Sequence, residues 1–347
     1  MSRQKLVVCA AHVAPVYMNA RASVEKACSL IREAAAKGAH LVAFPEAFIP
    51  GFPLWPAVSP PYRNHALFQD YVAQSVRVPG PEIFQVCQAA RDAGVVVSLG
   101  ISESTSASVG CIWNTNLLIG SDGSILNHHR KLVPTFFEKM IWANGDGNGV
   151  RVTETPLGRI GMLICGENTN PLARYAMMAE GEQIHVSSYP PVWPTHELRA
   201  NDAYDLASAV RIRAGAHSFE AKVFNIVASS RVDDATLDAL SSLGEPALDV
   251  LRSAPRAPSM ILNPHGVAVA ETDADADELL IAEIDLQECV VPKQFHDLSG
   301  YYNRFDIFNF RLNRTRLSPV EYIGEDAAAV YPFESMEKSE SRPDAAE

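Results

Sequence analysis

Three polar residues stand where apolar, strand-like runs end, and together they offer a carboxylate, an ammonium and a thiol. Glu46 follows HLVAF and Pro45 and precedes AFIPGFP, whose prolines and glycine keep the chain extended or turning and leave the carboxylate at a strand tip. Lys131 closes ILNHHRKL just before Val133, Pro134 and Thr135. Cys165 closes RIGMLI and precedes Gly166, Glu167 and Asn168, after which NPLARYAMM reads as a helix capped by Asn170 with Pro171 in its first position. A thiol at a strand tip, close to a helix N-terminus and beside an ammonium, has its thiolate favoured, which describes an activated nucleophile. Taken singly, each residue has a plainer reading. Glu46 reads equally as a solvated loop acid, Lys131 as a surface charge and Cys165 as a buried structural thiol.

Other chemistries lose their usual handles. There is no GxxxxGK[ST], GxSxG or HExxH, and the glycines of GDGNG (145–149) do not link a strand to a helix. The ten histidines show no metal-ligand spacing, and His128 and His129, adjacent on a strand, point to opposite faces. No cofactor or metal is expected. Six cysteines without a CxxC pair argue for reduced thiols, and Cys9, Cys28, Cys87, Cys111 and Cys289 read as small hydrophobes inside apolar runs or on helix faces.

Charge and hydropathy narrow the partners. With 29 Lys+Arg against 41 Asp+Glu, the net charge is -12, opposite to the basic footprint of a nucleic-acid binder. No apolar run approaches the roughly 18 residues of a membrane span, and the start MSRQKLVVCAAHVAP, broken by His12 and Pro15, lacks the form of a secretory signal. A cytoplasmic address is expected. The 47% hydrophobic content is enough to bury a sizeable core.

The positioning elements alternate along the chain. KLVVCAAHV reads as a strand, RASVEKACSLIREAAAKG as an amphipathic helix stopped by Gly38, and HLVAF as a buried strand. PEIFQVCQAARDAG follows as helix and VVVSLGIS as strand. CIWNTNLLIG and ILNHHRKL then form a hairpin across an Asp-Gly turn. RVTETPLGRIGMLIC reads as a strand pair, NPLARYAMMAEG as helix, QIHVSSY as strand, and NDAYDLASAVRIRAGAHSFEAK as a long helix feeding the strand VFNIVASS. SMILNPHGVAVAET and DELLIAEID close the pattern. One continuous α/β unit over residues 1–330 is expected, followed by a polar, mobile tail over 331–347 that carries most of its charge as acid.

The segments FPEAFIPGFP, HRKLVPT and CGEN, in that order and on strand ends, closely resemble the nitrilase superfamily of carbon-nitrogen hydrolases, and the last two resemble its nitrilase branch. The resemblance runs from about residue 5 to 315, through PTFFEKMIW, SSYPPVWP and DLSGYYNRFDIFNF. It implies a four-layer α-β-β-α sandwich and a catalytic set of Glu46, Lys131 and Cys165. It also implies that Glu138, seven residues after Lys131, is a supporting glutamate. Two positions depart from the family pattern: Gly166 stands where many nitrilases carry Trp, and Tyr301 where a His is common. Gly166 leaves room that a Trp would fill, and with Trp193 it is a candidate for substrate contact. By resemblance, the reaction takes a small-molecule nitrile to the carboxylic acid and ammonia through a thioimidate and a thioester, with Glu46 as general base and Lys131 stabilising charge on nitrogen. An amidase using the same residues is the alternative, and a low-turnover oligomerising or binding protein is a third. A homo-oligomer, a dimer or larger and extending to spirals, is implied by the same family.

Overall fold

A computed structural model describes residues 5–194 and 204–318; the stretch 331–347 lies outside the described residues. Thirteen strands are described: β1 Lys5–His12, β2 Leu41–Ala43, β3 Val76–Arg77, β4 Val96–Ser104, β5 Ile112–Ile119, β6 Ile125–Arg130, β7 Thr153–Thr155, β8 Gly158–Ile164, β9 Ile184–Tyr189, β10 Phe224–Ser229, β11 Met260–Leu262, β12 Ala268–Glu271 and β13 Glu278–Asp285. They form two sheets. The first has the order β13-β1-β2-β4-β5-β6, with β3 on the edge of β4, and the second β12-β11-β10-β9-β8-β7.

Strand alternation sorts the side chains into layers. On β1, Leu6, Val8 and Ala10 face the second sheet, meeting Met162, Val186 and Ile226. The intervening Cys9 and Ala11 face outward against helices α1 (Ala20–Ala36) and, in the same cluster, the helix Pro81–Ala93. On the far side, Leu163 of β8 packs against Ala173, Ala176 and Met177 of the helix Pro171–Ala179. Val210 and Ala214 of the helix Leu206–Ala221 join Val227 and Leu262. The layers are therefore helix, sheet, sheet, helix, the four-layer sandwich expected from the resemblance.

Most elements fall where the hydrophobic pattern puts them. The long helix of the second half begins later than NDAY suggests, at Leu206, because Asp205 caps it by accepting from Ser208 N. Short helices at Trp55–Val58, His65–Gln74, Asp234–Ala239, Glu245–Ser253 and Val290–Phe295 were not read from the sequence. Most of them are too brief for a 3.6-residue period to stand out. The Asp-Gly turn of the hairpin is present, with Gly123 in the left-handed region at φ +84.

Candidate active site

Glu46, Lys131 and Cys165 leave three different strands at one end of the sandwich. Glu46 sits just past β2, in a loop whose close approach to β4 requires Gly100: a Cβ there would lie 2.2 Å from Pro45 O. That loop is tied to the second sheet where Glu46 N donates to Tyr189 O at the end of β9 (3.4 Å). Lys131 directly follows β6; its N–H donates to Asn114 O of β5 (2.8 Å) and its carbonyl accepts from Gly145 N (2.8 Å). Cys165 directly follows β8, opens the 3-10 turn Cys165–Thr169, and holds a left-handed φ of +47. That conformation is costly for a residue with a Cβ and characteristic of positions whose side chain is deliberately aimed.

The structure brings all four charged or thiol residues into one buried cluster. Exposure is 1% for Glu46, 1% for Lys131, 0% for Glu138 and 4% for Cys165, so the surface-charge reading of Lys131 and the loop-acid reading of Glu46 are both set aside. Lys131 Nζ donates to Glu46 Oε1 at 2.6 Å and to Glu138 Oε1 and Oε2 at 2.8 and 2.7 Å. Asn114 Nδ2 also donates to Glu46 Oε1, at 2.7 Å. Glu138 is fixed in turn by accepting from Thr135 N at 2.9 Å. Ligand-type atoms of Glu46, Glu138 and Cys165 all lie within 4.8 Å of one another, and the ammonium of Lys131 supplies the positive charge among them.

Burial dominates the proton affinities. It pushes the Glu46 carboxyl up, against the pull of the Lys131 ammonium, the Asn114 donor and the nearby Cys165 thiol. It pushes Glu138 up to about 7, with Lys131 opposing and the Glu46 charge adding to the rise. Burial alone would lower Lys131, but the carboxylates of Glu138 and Glu46 outweigh it and hold the ammonium above its ordinary range. The Cys165 thiol is raised well above its usual value, first by burial and then by Glu46, with Lys131 opposing. This corrects the expectation from sequence. A helix start and an ammonium favour a thiolate, but full desolvation beside two carboxyl groups outweighs both and favours the neutral thiol at Cys165.

Gly166 also differs from its reading. The position is not open: an added Cβ would stand 2.8 Å from Thr135 Oγ1. Trp193 is buried in the apolar cluster that holds Cys165, its ring 4.4 Å from Phe137 in a stacked pair and 6.1 Å from Phe52. Tyr301 is exposed, with its hydroxyl donating to Lys293 O (2.9 Å). Sequence reasoning missed Asn114, whose only signal was its place on the hairpin strand next to Lys131.

A further buried network, running through His185, braces the turn after Cys165. Asn168 Nδ2 donates to Leu163 O and Cys165 O, both at 3.2 Å, and Asn168 Oδ1 lies 3.0 Å from His185 Nε2. Glu182 accepts from His185 Nδ1 at 2.8 Å and from His217 Nε2 at 2.5 Å. Atoms of Glu182, His185 and His217 also fall within 4.8 Å of one another, but the carboxylate oxygens are already engaged by the two rings. His128 and His129 do face opposite ways, the first to Glu103 (2.8 Å) and the second to Glu167 (2.8 Å).

A two-sheet sandwich with a buried carboxyl, ammonium and thiol at its strand ends defines a class, and comparison with known proteins places the chain within it. The carbon-nitrogen hydrolase family model matches residues 7–293. The sequence is 34% identical over 305 residues to Nitrilase 2 of an unknown prokaryotic organism, covering 88% of this chain and 91% of that one. It is 34% identical to an arylacetonitrilase of Hypocrea virens, with 84% and 87% of the two chains covered. It is also 34% identical to a cyanide hydratase of Alternaria brassicicola, with 87% and 83% covered. The fold is similar to that of a carbon-nitrogen hydrolase from Helicobacter pylori, with a TM-score of 0.66 at 18% identity over 88% of this chain and 97% of that one. This chain belongs to the carbon-nitrogen hydrolase family.

Proposed function

We propose that this protein is a nitrilase, hydrolysing an organic nitrile to the carboxylic acid and ammonia, with Cys165 as nucleophile, Glu46 as general base, Lys131 as charge stabiliser and Glu138 as the group that holds Lys131. The observation that carries the assignment of roles is the division of Glu46. Oε1 is occupied by Lys131 and Asn114, while Oε2 is buried without a formed hydrogen bond, and the Glu46 carboxylate has an oxygen within 4.8 Å of the Cys165 sulfur. That free oxygen takes the Cys165 proton as sulfur attacks the nitrile carbon, and passes it to nitrogen to give the thioimidate. Water then adds with Glu46 again as base. The carbon–nitrogen bond breaks as the amine is protonated, ammonia leaves, and a second water cleaves the thioester to release the acid and restore the thiol. Lys131 offsets negative charge on nitrogen and then on oxygen in a dry site, where such a charge counts for most.

Relatives named nitrilase and arylacetonitrilase support the nitrile reading, and Trp193, Phe137 and Phe52 give an aromatic surround suited to an apolar substituent. A second reading comes from the relative named cyanide hydratase, in which the amide is released instead. Assembly into a cytoplasmic homo-oligomer belongs to the same proposal. Leu172, Ile212 and Phe219, exposed on the two outer helices of the second sheet, supply apolar surface for pairing. Among the described residues no helix is long and apolar enough to cross a membrane. The test is a panel of nitriles and amides with acid, amide and ammonia quantified. Acid and ammonia from nitriles are expected, amide as sole product would make the protein a hydratase, and turnover of amides alone would make it an amidase.

A further inference from the structure

The carboxylate of Glu167 touches both halves of the site without touching a reacting atom. Its Oε1 accepts from Leu132 N at 2.7 Å, the amide directly after Lys131. Its Oε2 accepts from Ile164 N at 2.8 Å, the amide directly before Cys165. His129, two residues before Lys131, closes the arrangement with Nε2 at 2.8 Å from Oε2 and 3.1 Å from Oε1. One buried side chain therefore fastens the end of β6, in the first sheet, to the end of β8, in the second. The backbone around His129 is fixed independently, since the GDGNG loop lies so close that a Cβ on Gly149 would stand 2.3 Å from His129 Cα.

We infer that Glu167, held by His129, is a positioning residue that sets the separation of Lys131 from Cys165. Among the described residues no other side chain hydrogen-bonds both the amide beside Lys131 and the amide beside Cys165. Lys131 itself contacts the carboxylates of Glu46 and Glu138, which are carried by the loop after β2 and the turn after β6 and not by β8. Ionisation of Glu167 is favoured despite burial, because His129 and the two amides all stabilise its negative form, so the clamp is charge-assisted. A small error in the Lys131-to-Cys165 distance would spare substrate binding. It would misplace the ammonium relative to the tetrahedral intermediate, where loss of ammonia competes with loss of thiolate.

The inference rests on the nitrile reading for its kinetic and product readouts, and not for the alkylation of Cys165. Glu167→Gln replaces one acceptor with a donor that faces a backbone N–H, and His129→Leu removes the partner, while His129→Gln keeps a donor near the Nε2 position. Glu167→Gln and His129→Leu are expected to lower kcat by about 10- to 100-fold with KM nearly unchanged. Both should raise the amide share of the products, a ratio that does not depend on how much enzyme is folded. The pH midpoint for iodoacetamide alkylation of Cys165, which needs no substrate, should move up as Lys131 drifts from the thiol. His129→Gln should recover most of each effect, and the double variant should be no worse than the worse single one. An unchanged product ratio together with an unchanged alkylation midpoint in Glu167→Gln would overturn the inference, whatever happens to kcat. A wild-type enzyme that turns over no nitrile defeats the reaction assignment instead, and the alkylation midpoints still decide the role of Glu167.

Discussion

Lys131 Nζ donates to one oxygen of Glu46 and not the other: Oε1 lies at 2.6 Å, and Oε2 has no hydrogen-bond partner among the described residues. A buried carboxylate oxygen left in that state is costly, which points to a use beyond stability. In the proposed mechanism the pair separates two tasks within one side chain, with Oε1 anchoring the ammonium and Oε2 left to exchange protons with the Cys165 thiol and with water.

If Oε2 serves the thiol, Cys165→Ala should abolish turnover and leave the melting temperature close to that of the parent. The change removes a single sulfur at a strand tip, not a large core side chain. Intact-protein mass spectrometry after stoichiometric iodoacetamide in the presence and absence of a competing nitrile should place a substrate-protected adduct on Cys165. Full activity in the alanine variant would remove the thiol from the mechanism.

The acid limb of kcat/KM should lie well above the 4.5 of an ordinary glutamate, because burial raises both Glu46 and Glu138, the latter to about 7. The base works ionised, so activity is lost as pH falls through the raised value, and the limb reports the carboxyl pair as a unit. Asn114 donates to the ionised form of Glu46 at 2.7 Å, so Asn114→Ala should raise that proton affinity further and shift the limb to higher pH. A pH–rate profile of the two proteins decides it; a limb that stays in place or moves down contradicts the assignment of Glu46 as base.

Acid stability should be set away from the proposed active site, in the Glu182–His185–His217 cluster. Burial lowers His185 from 6.5 to about 4, so the folded protein resists charging it, and that stability is complete above pH 6.5 and lost as pH falls toward 4. Glu182 and Glu103 both sit near 2 despite burial, through their histidine and arginine partners, so their contribution is present above 4.5 and lost as pH falls toward 2. Glu138 acts in the opposite sense between 4.5 and 7, because its raised value favours the protonated folded form. Melting temperature against pH for the parent and His185→Gln isolates the histidine: the variant should lose its share of the decline between 6.5 and 4, on the order of a few kcal/mol, keep the part that the buried His12 contributes, and keep the decline below 4.5. Parallel curves for the two proteins would refute the assignment.

Much of this was legible in the sequence, for a physical reason. Strands buried on both faces leave long apolar runs, so a polar residue at the end of one stands out, and Glu46, Lys131 and Cys165 were visible on that ground. Glu138 became visible only through the family resemblance. Asn114 and Glu167 were not, because their partners are distant along the chain: Asn114 meets Glu46 across 68 residues and Glu167 meets Leu132 across 35. Periodicity reports which face a residue occupies and carries no information on such pairings. The protonation of Cys165 was misread for a related reason. The helix start beside it is a local feature, whereas its carboxyl neighbours, Glu46 and Glu138, come from separate segments of the chain.

Gly166 offers the last test, since its surroundings contradict the room its sequence context suggested. An added Cβ would meet Thr135 Oγ1 at 2.8 Å, while the next Thr135 atoms, Cβ and Cγ2, lie at 3.9 Å in ordinary contact. Thr135 is β-branched and stiff at χ1, and its backbone N–H donates to Glu138 Oε2, so pressure on its side chain passes to the carboxylate that holds Lys131. Gly166→Ala should therefore lower kcat, by about tenfold if the shift at Lys131 is a few tenths of an ångström. Gly166→Trp should do at least as much harm. Thr135→Ala removes the offending hydroxyl, so the double variant Gly166→Ala/Thr135→Ala should recover most of the activity lost by the single change. Steady-state kinetics on all four proteins closes the cycle: equal losses in the single and double variants would show that Gly166 acts through the substrate pocket and not through Thr135 and Glu138.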